Sequence, residues 1–171
     1  MTALLTPTIS PSRPALDDLS LHDLATIARG LAETAHLWPG VTDPRERTWH
    51  TIARTDRFEA FVIAWPSGSS IDTHDHGDAA GAIAVASGEL IETTVSDVGG
   101  TATIQTTKLT AGVQLAFRAG HVHGLTNRGS SPALTVHVYS PVLRTMTFFE
   151  EGGDGEHLPV RTEWFDLEDL R

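Results

Sequence analysis

From Trp49 onward the chain is cut into short runs of Val, Ile, Thr and aromatic residues by Gly and Pro. FEAFVIAW (58–65) is bounded by Pro66 and Gly68, and GAIAVAS (81–87) turns at Gly88 into ELIETTV (89–95). Gly99-Gly100 separates that run from TATIQTTKL (101–109). VQLAF (113–117), VHGLTN (122–127), ALTVHVYS (133–140) and LRTMTFFE (143–150) follow. Strands recurring about every ten residues bury their apolar faces by packing sheet on sheet, so the pattern predicts an all-β sandwich or barrel. The acidic tail after Gly152-Gly153 adds at most one more strand, around VRTEW (160–164).

One helix precedes the strands, in SLHDLATIARGLAET (20–34). Ser20 can cap it, Asp23 suits its positive end, and Leu21, Leu24, Ile27, Ala28 and Leu31 form an apolar stripe. Pro39-Gly40 then breaks the chain. The opening MTALLTPTISPSRP lacks both a basic n-region and a continuous apolar h-region, and is expected to be a flexible arm rather than a signal peptide. The expected organisation is one structural domain: residues 1–40 as arm and helix packed on the barrel, and 41–171 as the barrel itself.

Charge narrows the partners. The net charge is −10 and Lys and Arg do not cluster, which argues against nucleic acid and anionic membranes. No apolar run reaches the roughly 18 residues of a membrane helix, so a cytoplasmic protein is expected, as monomer or homodimer. There is no cysteine, which excludes disulfides, thiolate metal sites and cysteine nucleophiles. Nine histidines must carry most of any metal chemistry.

Two of them, His74 and His76, stand two apart in IDTHDHGDAAG (71–81). On a strand this spacing puts both imidazoles on one face, where they can share a metal; in a surface loop the same pair arises by chance. The wider spacing decides between these. Gly68 is followed by five residues, His74, one residue, His76, four residues, Gly81, six residues and Gly88. Gly112 is followed by five residues, Arg118, one residue, Gly120, two residues, His123, three residues and Asn127. This resembles the two cupin motifs, G-x5-HxH-x4-E-x6-G and G-x5-P-x-G-x2-H-x3-N, departing at Gly81 for Glu and Arg118 for Pro. The second motif selects His123 over His121. The resemblance implies a single cupin β-barrel or jelly roll with an N-terminal helix, and a metal held by His74, His76 and His123. Without the family's glutamate, three neutral imidazoles leave one face of an octahedron open, which suits Fe(II) that must take substrate and O₂ together.

SSPALTVHVYSP (130–141) narrows the resemblance, placing Thr135, His137 and Tyr139 on one strand face. Together with WPSGSSIDTHDHGD it is similar to the cysteine dioxygenase family, from about Trp49 to Phe149. That family has a Ser-His-Tyr series in its iron pocket, and Thr135 keeps the hydroxyl. Its crosslinking cysteine would fall at Gly81, as in bacterial-type members, so no crosslink forms. The resemblance implies a mononuclear Fe(II) thiol dioxygenase taking cysteine and O₂ to cysteine sulfinate, with Tyr139, His137 and Thr135 as catalytic residues. It also calls for an arginine ahead of FEAFVIAW to hold the substrate carboxylate. The expected position holds Thr51 or Ile52; Arg54 is the nearest replacement, with Arg47 and Arg57 further away. Turned inward, Arg54 would share a strand face with Ile52 and His50. The alternatives are a dioxygenase of another small thiol (3-mercaptopropionate, cysteamine) or of a small diketone, and a non-catalytic cupin that binds a small ligand or metal.

Overall fold

The computed structural model describes residues 19–38, 45–97, 102–152 and 156–165. The expected N-terminal arm, the Pro39-Gly40 break and the Gly99-Gly100 turn lie outside them. Helix α1 (Leu21–Glu33) starts at Ser20, whose hydroxyl accepts from the Asp23 amide while the Asp23 carboxylate accepts from the Ser20 amide, a reciprocal capping box. A 3-10 turn (Ala35–Leu37) follows. Among the described residues eleven strands follow: β1 Thr48–Arg54, β2 Glu59–Trp65, β3 Ser70–His74, β4 Ala80–Ser87, β5 Glu89–Asp97, β6 Ala102–Thr110, β7 Gln114–Phe117, β8 Val122–Thr126, β9 Ala133–Ser140, β10 Thr145–Glu151 and β11 His157–Trp164.

They form two antiparallel sheets, β1-β2-β9-β4-β7 and β11-β10-β3-β8-β5-β6. The first is covered on both sides. On its outer face Leu24 and Ala28 of α1 meet Ala60, Val62, Ala82, Ala84, Val136 and Val138, and the alanines let the helix axis approach closely. On its inner face Phe61, Trp65, Ile83, Val85 and Tyr139 face Leu90, Leu109 and Leu125 of the second sheet. Every residue of β9 is buried, which is why ALTVHVYS reads as a nearly continuous apolar run. This is the cupin jelly roll with an N-terminal helix. Gly88 makes the β4–β5 turn at φ +74, with Ala133 Cα and the Pro132 carbonyl both 2.7 Å from where a Cβ would sit, so only glycine fits.

Two strands go beyond the sequence pattern. β1, TWHTIAR, is a mostly polar edge strand whose pairing with β2 slips between Thr51 and Ala53. β3, SIDTH, is short, and its pairing with β8 is irregular between Ile71 and His74. Both irregularities lie where the site is built. Among the described residues no helix is long and apolar enough to cross a membrane.

Candidate metal centre

His74 ends β3, with Phe148 of β10 as its register partner on one side and His123 of β8 on the other. His76 follows in the loop. The three imidazoles converge, with ring centroids 4.8, 5.0 and 5.2 Å apart. One nitrogen from each lies within 4.8 Å of the others, and all three residues are buried. Burial first, and the neighbouring imidazoles second, push His74 down to about 3 and His76 well below its ordinary value. His123 is also lowered, by burial. At neutral pH the cluster is therefore uncharged, with lone pairs rather than protons to offer.

The tautomers follow from the hydrogen bonds. His74 Nδ1–H donates to the Asp72 carbonyl at 2.7 Å, which leaves Nε2 as a lone pair. His123 Nδ1–H donates to Glu92 at 2.8 Å, and its Nε2 is buried with no protein partner. His76 Nδ1 is likewise buried and unpartnered. A buried nitrogen without a partner is costly, and the lone pairs on His74 Nε2 and His123 Nε2, with one from His76, fit a divalent cation that accepts nitrogen ligands. The motif choice of His123 over His121 matches this arrangement: His121 is partly exposed, stacks on Phe117 at 4.6 Å, and reaches Glu92 through Nε2 at 3.1 Å.

Glu92 on β5 is thus held behind His123 rather than among the three nitrogens. Burial raises its carboxyl, but hydrogen bonds from His121 and His123 outweigh burial and hold it at about 2, so it is ionised. The position of the usual cupin glutamate is filled by other atoms. A Cβ at Gly81 would lie 2.5 Å from the Phe117 ring and 3.0 Å from Tyr139, so glycine is what lets Phe117 lie stacked against His76 at 5.3 Å. A fourth ligand cannot enter there while Phe117 stays in place.

Thr135, His137 and Tyr139 line up on β9 as their spacing requires. Trp65 Nε1–H donates to Thr135 Oγ1 at 2.9 Å, so the Thr135 hydroxyl proton is left to point at His137 Nε2, 3.0 Å away. His137 is neutral, since burial pushes it well down, and its one proton then sits on Nδ1, 3.1 Å from the Tyr139 oxygen. Burial raises the Tyr139 phenol, which stays protonated, and its hydroxyl lies 3.2 Å from His76 Nε2. The chain Trp65–Thr135–His137–Tyr139 therefore runs in one direction, ending in an O–H aimed at the histidine cluster. Asn127 of the second motif has a supporting place: its side chain donates to the carbonyls of Trp65 and Ser131, both at 2.9 Å.

A cavity of about 350 Å³ opens beside His74, His137 and Tyr139. Arg54 does not line it. Its guanidinium lies 3.1 Å from Glu59, whose fully buried carboxyl is raised by burial and also accepts the Leu143 amide at 2.7 Å. The expected grouping of Arg54 with Ile52 and His50 does not hold: the β1 bulge sets Arg54 opposite Glu59, two residues from cavity-lining Phe61. Arg47 does line the cavity. Its guanidinium sits 5.4 Å from the Trp65 ring centroid and 5.8 Å from that of Trp49. It is close enough for its charge to disfavour protonation of both His74 and His137.

Trp65, Glu92 and Arg47 are the parts of the site that sequence reasoning did not assign. Glu92 had one available signal, an acid two residues from Leu90 on an otherwise inward strand face. Trp65 had none, because its partner Thr135 is 70 residues away.

Two solved structures with similar folds are the TT1209 protein from Thermus thermophilus and an oxalate oxidase in complex with the substrate analogue glycolate. The first is 21% identical, at a TM-score of 0.50, over 58% of this chain and 88% of that one. The second is 17% identical, at a TM-score of 0.50, over 58% of this chain and 53% of that one. At these identities the likeness shows the fold alone. The model of the family described as cysteine dioxygenase type I matches residues 25–152, which hold the helix, the three converging imidazoles and the Thr-His-Tyr strand. The chain belongs to the cysteine dioxygenase type I family.

Proposed function

We propose that the protein is a mononuclear non-haem Fe(II) thiol dioxygenase, which adds both atoms of O₂ to the sulfur of a small thiol, as in cysteine to cysteine sulfinate. The observation that carries the reading is three neutral imidazoles converging without a carboxylate, beside a protonated Tyr139 hydroxyl aimed at them. His74, His76 and His123 would hold the iron. When bound, the ion supplies the positive charge that favours thiolate and the redox partner for O₂. The chain's own residues do the rest. Tyr139 donates a hydrogen bond to the substrate, and His137, Thr135 and Trp65 fix its direction. Arg47 takes the carboxylate role for which the sequence offers Arg54, because Arg54 is already engaged by Glu59. Oxygen uptake by the Fe(II)-loaded protein that requires added cysteine supports the reading; uptake that ignores thiol contradicts it.

Tyr139→Phe removes the terminal donor and almost no volume. We expect kcat/KM to fall about ten- to a hundredfold, or about 1.4–3 kcal/mol of transition-state stabilisation, with iron content unchanged by elemental analysis.

Glu92→Gln tests the outer carboxylate. An amide lacks the charge and can turn its NH₂ toward His123 Nδ1, which moves the imidazole proton onto Nε2 and blocks the ligand atom. Metal affinity should fall about 10–100-fold, read by competing Co(II) against a chelator, while the circular dichroism spectrum stays that of the parent.

A further inference from the structure

The cavity is larger and greasier than cysteine needs. At about 350 Å³ it would hold on the order of ten waters at roughly 30 Å³ each. That is within the range, about 300–1,000 Å³, of pockets that enclose drug-sized ligands. Its walls are largely apolar, with Phe61, Trp65, Leu125, Leu143, Met146 and Phe165 among them. A small zwitterion anchored at the histidines leaves the apolar surface that Trp49, Ile63, Met146 and Phe165 still expose along the cavity unused and gains nothing from it. Cationic recognition is confined to particular places. Arg47 stands with its guanidinium near two indoles, and Arg161 lies over the Phe148 ring at 3.9 Å while pairing with Glu163.

A ligand that satisfies all of this carries a thiol for the histidine cluster, a carboxylate for Arg47 and an apolar body for the remaining walls. We propose that the preferred substrate is a mercaptocarboxylic acid bearing an aryl or alkyl body. This rests on the thiol dioxygenase reading above and narrows it. The reaction balances as RSH + O₂ giving RSO₂H. Two S–O bonds form, the O–O bond breaks, sulfur loses four electrons and dioxygen gains four, and the proton leaves to solvent as the sulfinic acid ionises.

The test has a kinetic arm and a binding arm. Fe(II)-loaded protein is given 2-benzyl-3-mercaptopropanoate, 3-mercaptopropanoate and cysteine, with O₂ uptake and sulfinate formation measured. Under nitrogen, the same protein is titrated with 3-phenylpropanoate and with propanoate, neither of which can turn over, and tryptophan fluorescence is followed. One extra methylene in an apolar pocket changes discrimination by roughly 10–200-fold. The benzyl acid is therefore expected to exceed both small thiols in kcat/KM by at least about tenfold, and phenylpropanoate to bind at least about tenfold tighter than propanoate. Equal or better turnover of cysteine or 3-mercaptopropanoate, or phenylpropanoate binding no tighter than propanoate, overturns this inference and leaves thiol dioxygenation standing. Uptake with none of the three thiols overturns the proposed function itself, and the inference with it.

Discussion

His123→Ala is expected to leave the protein folded and without iron. The imidazole it removes is fully buried, donates to Glu92, and presents an Nε2 that nothing in the protein satisfies. Its loss takes one of the three converging nitrogens and leaves the Glu92 carboxylate with His121 alone. The drop in metal affinity should exceed the roughly 10–100-fold that a supporting residue costs, and turnover should be lost with the metal. His121→Ala is the control, because His121 touches Glu92 but lies outside the converging three. Elemental analysis of the two purified variants separates them. Iron retained in His123→Ala, or lost only in His121→Ala, contradicts the assignment of ligands.

The second large effect is expected at Arg47. A charge-assisted hydrogen bond to a carboxylate contributes about 1.5–3 kcal/mol, so Arg47→Ala should lower kcat/KM for cysteine about 10- to 150-fold. Cysteamine has no carboxylate and should be turned over as before. Arg47→Lys should recover little, because an ammonium cannot form the bidentate pair. Arg54→Ala should behave differently: it strands the buried Glu59 carboxylate, so its cost appears in thermal stability for every substrate alike. A cysteine preference that survives Arg47→Ala places the carboxylate elsewhere.

The contrast between these arginines shows where sequence reading succeeds and where it stops. Alternation along β9 puts Thr135, His137 and Tyr139 on one face, and the structure agrees because β9 pairs with β2 in unbroken register from Ala133 to Tyr139, and its slip against β4 falls at Leu134, ahead of all three. Motif spacing likewise brings His74, His76 and His123 together across β3 and β8. The same counting fails on β1, because the bulge after Thr51 changes which face the following residues occupy, and so Arg54 meets Glu59. Glu92 illustrates a different obstacle. ELIETTV is legible as a strand, but its carboxylate acquires meaning only from His121 and His123, 29 and 31 residues away. Phe117 filling the space over Gly81 belongs to the same class: the missing glutamate can be seen, but not what replaces it.

Isotopic labelling tests the central claim most directly. Fe(II)-loaded protein is incubated with a mercaptocarboxylic acid, cysteine included, under ¹⁸O₂, and the product is examined by mass spectrometry against oxygen consumed. One O₂ should be consumed per sulfinate formed, with both sulfinate oxygens labelled. Disulfide with peroxide as the product, sulfinate carrying solvent oxygen, or no oxygen uptake by protein whose iron is bound would contradict it.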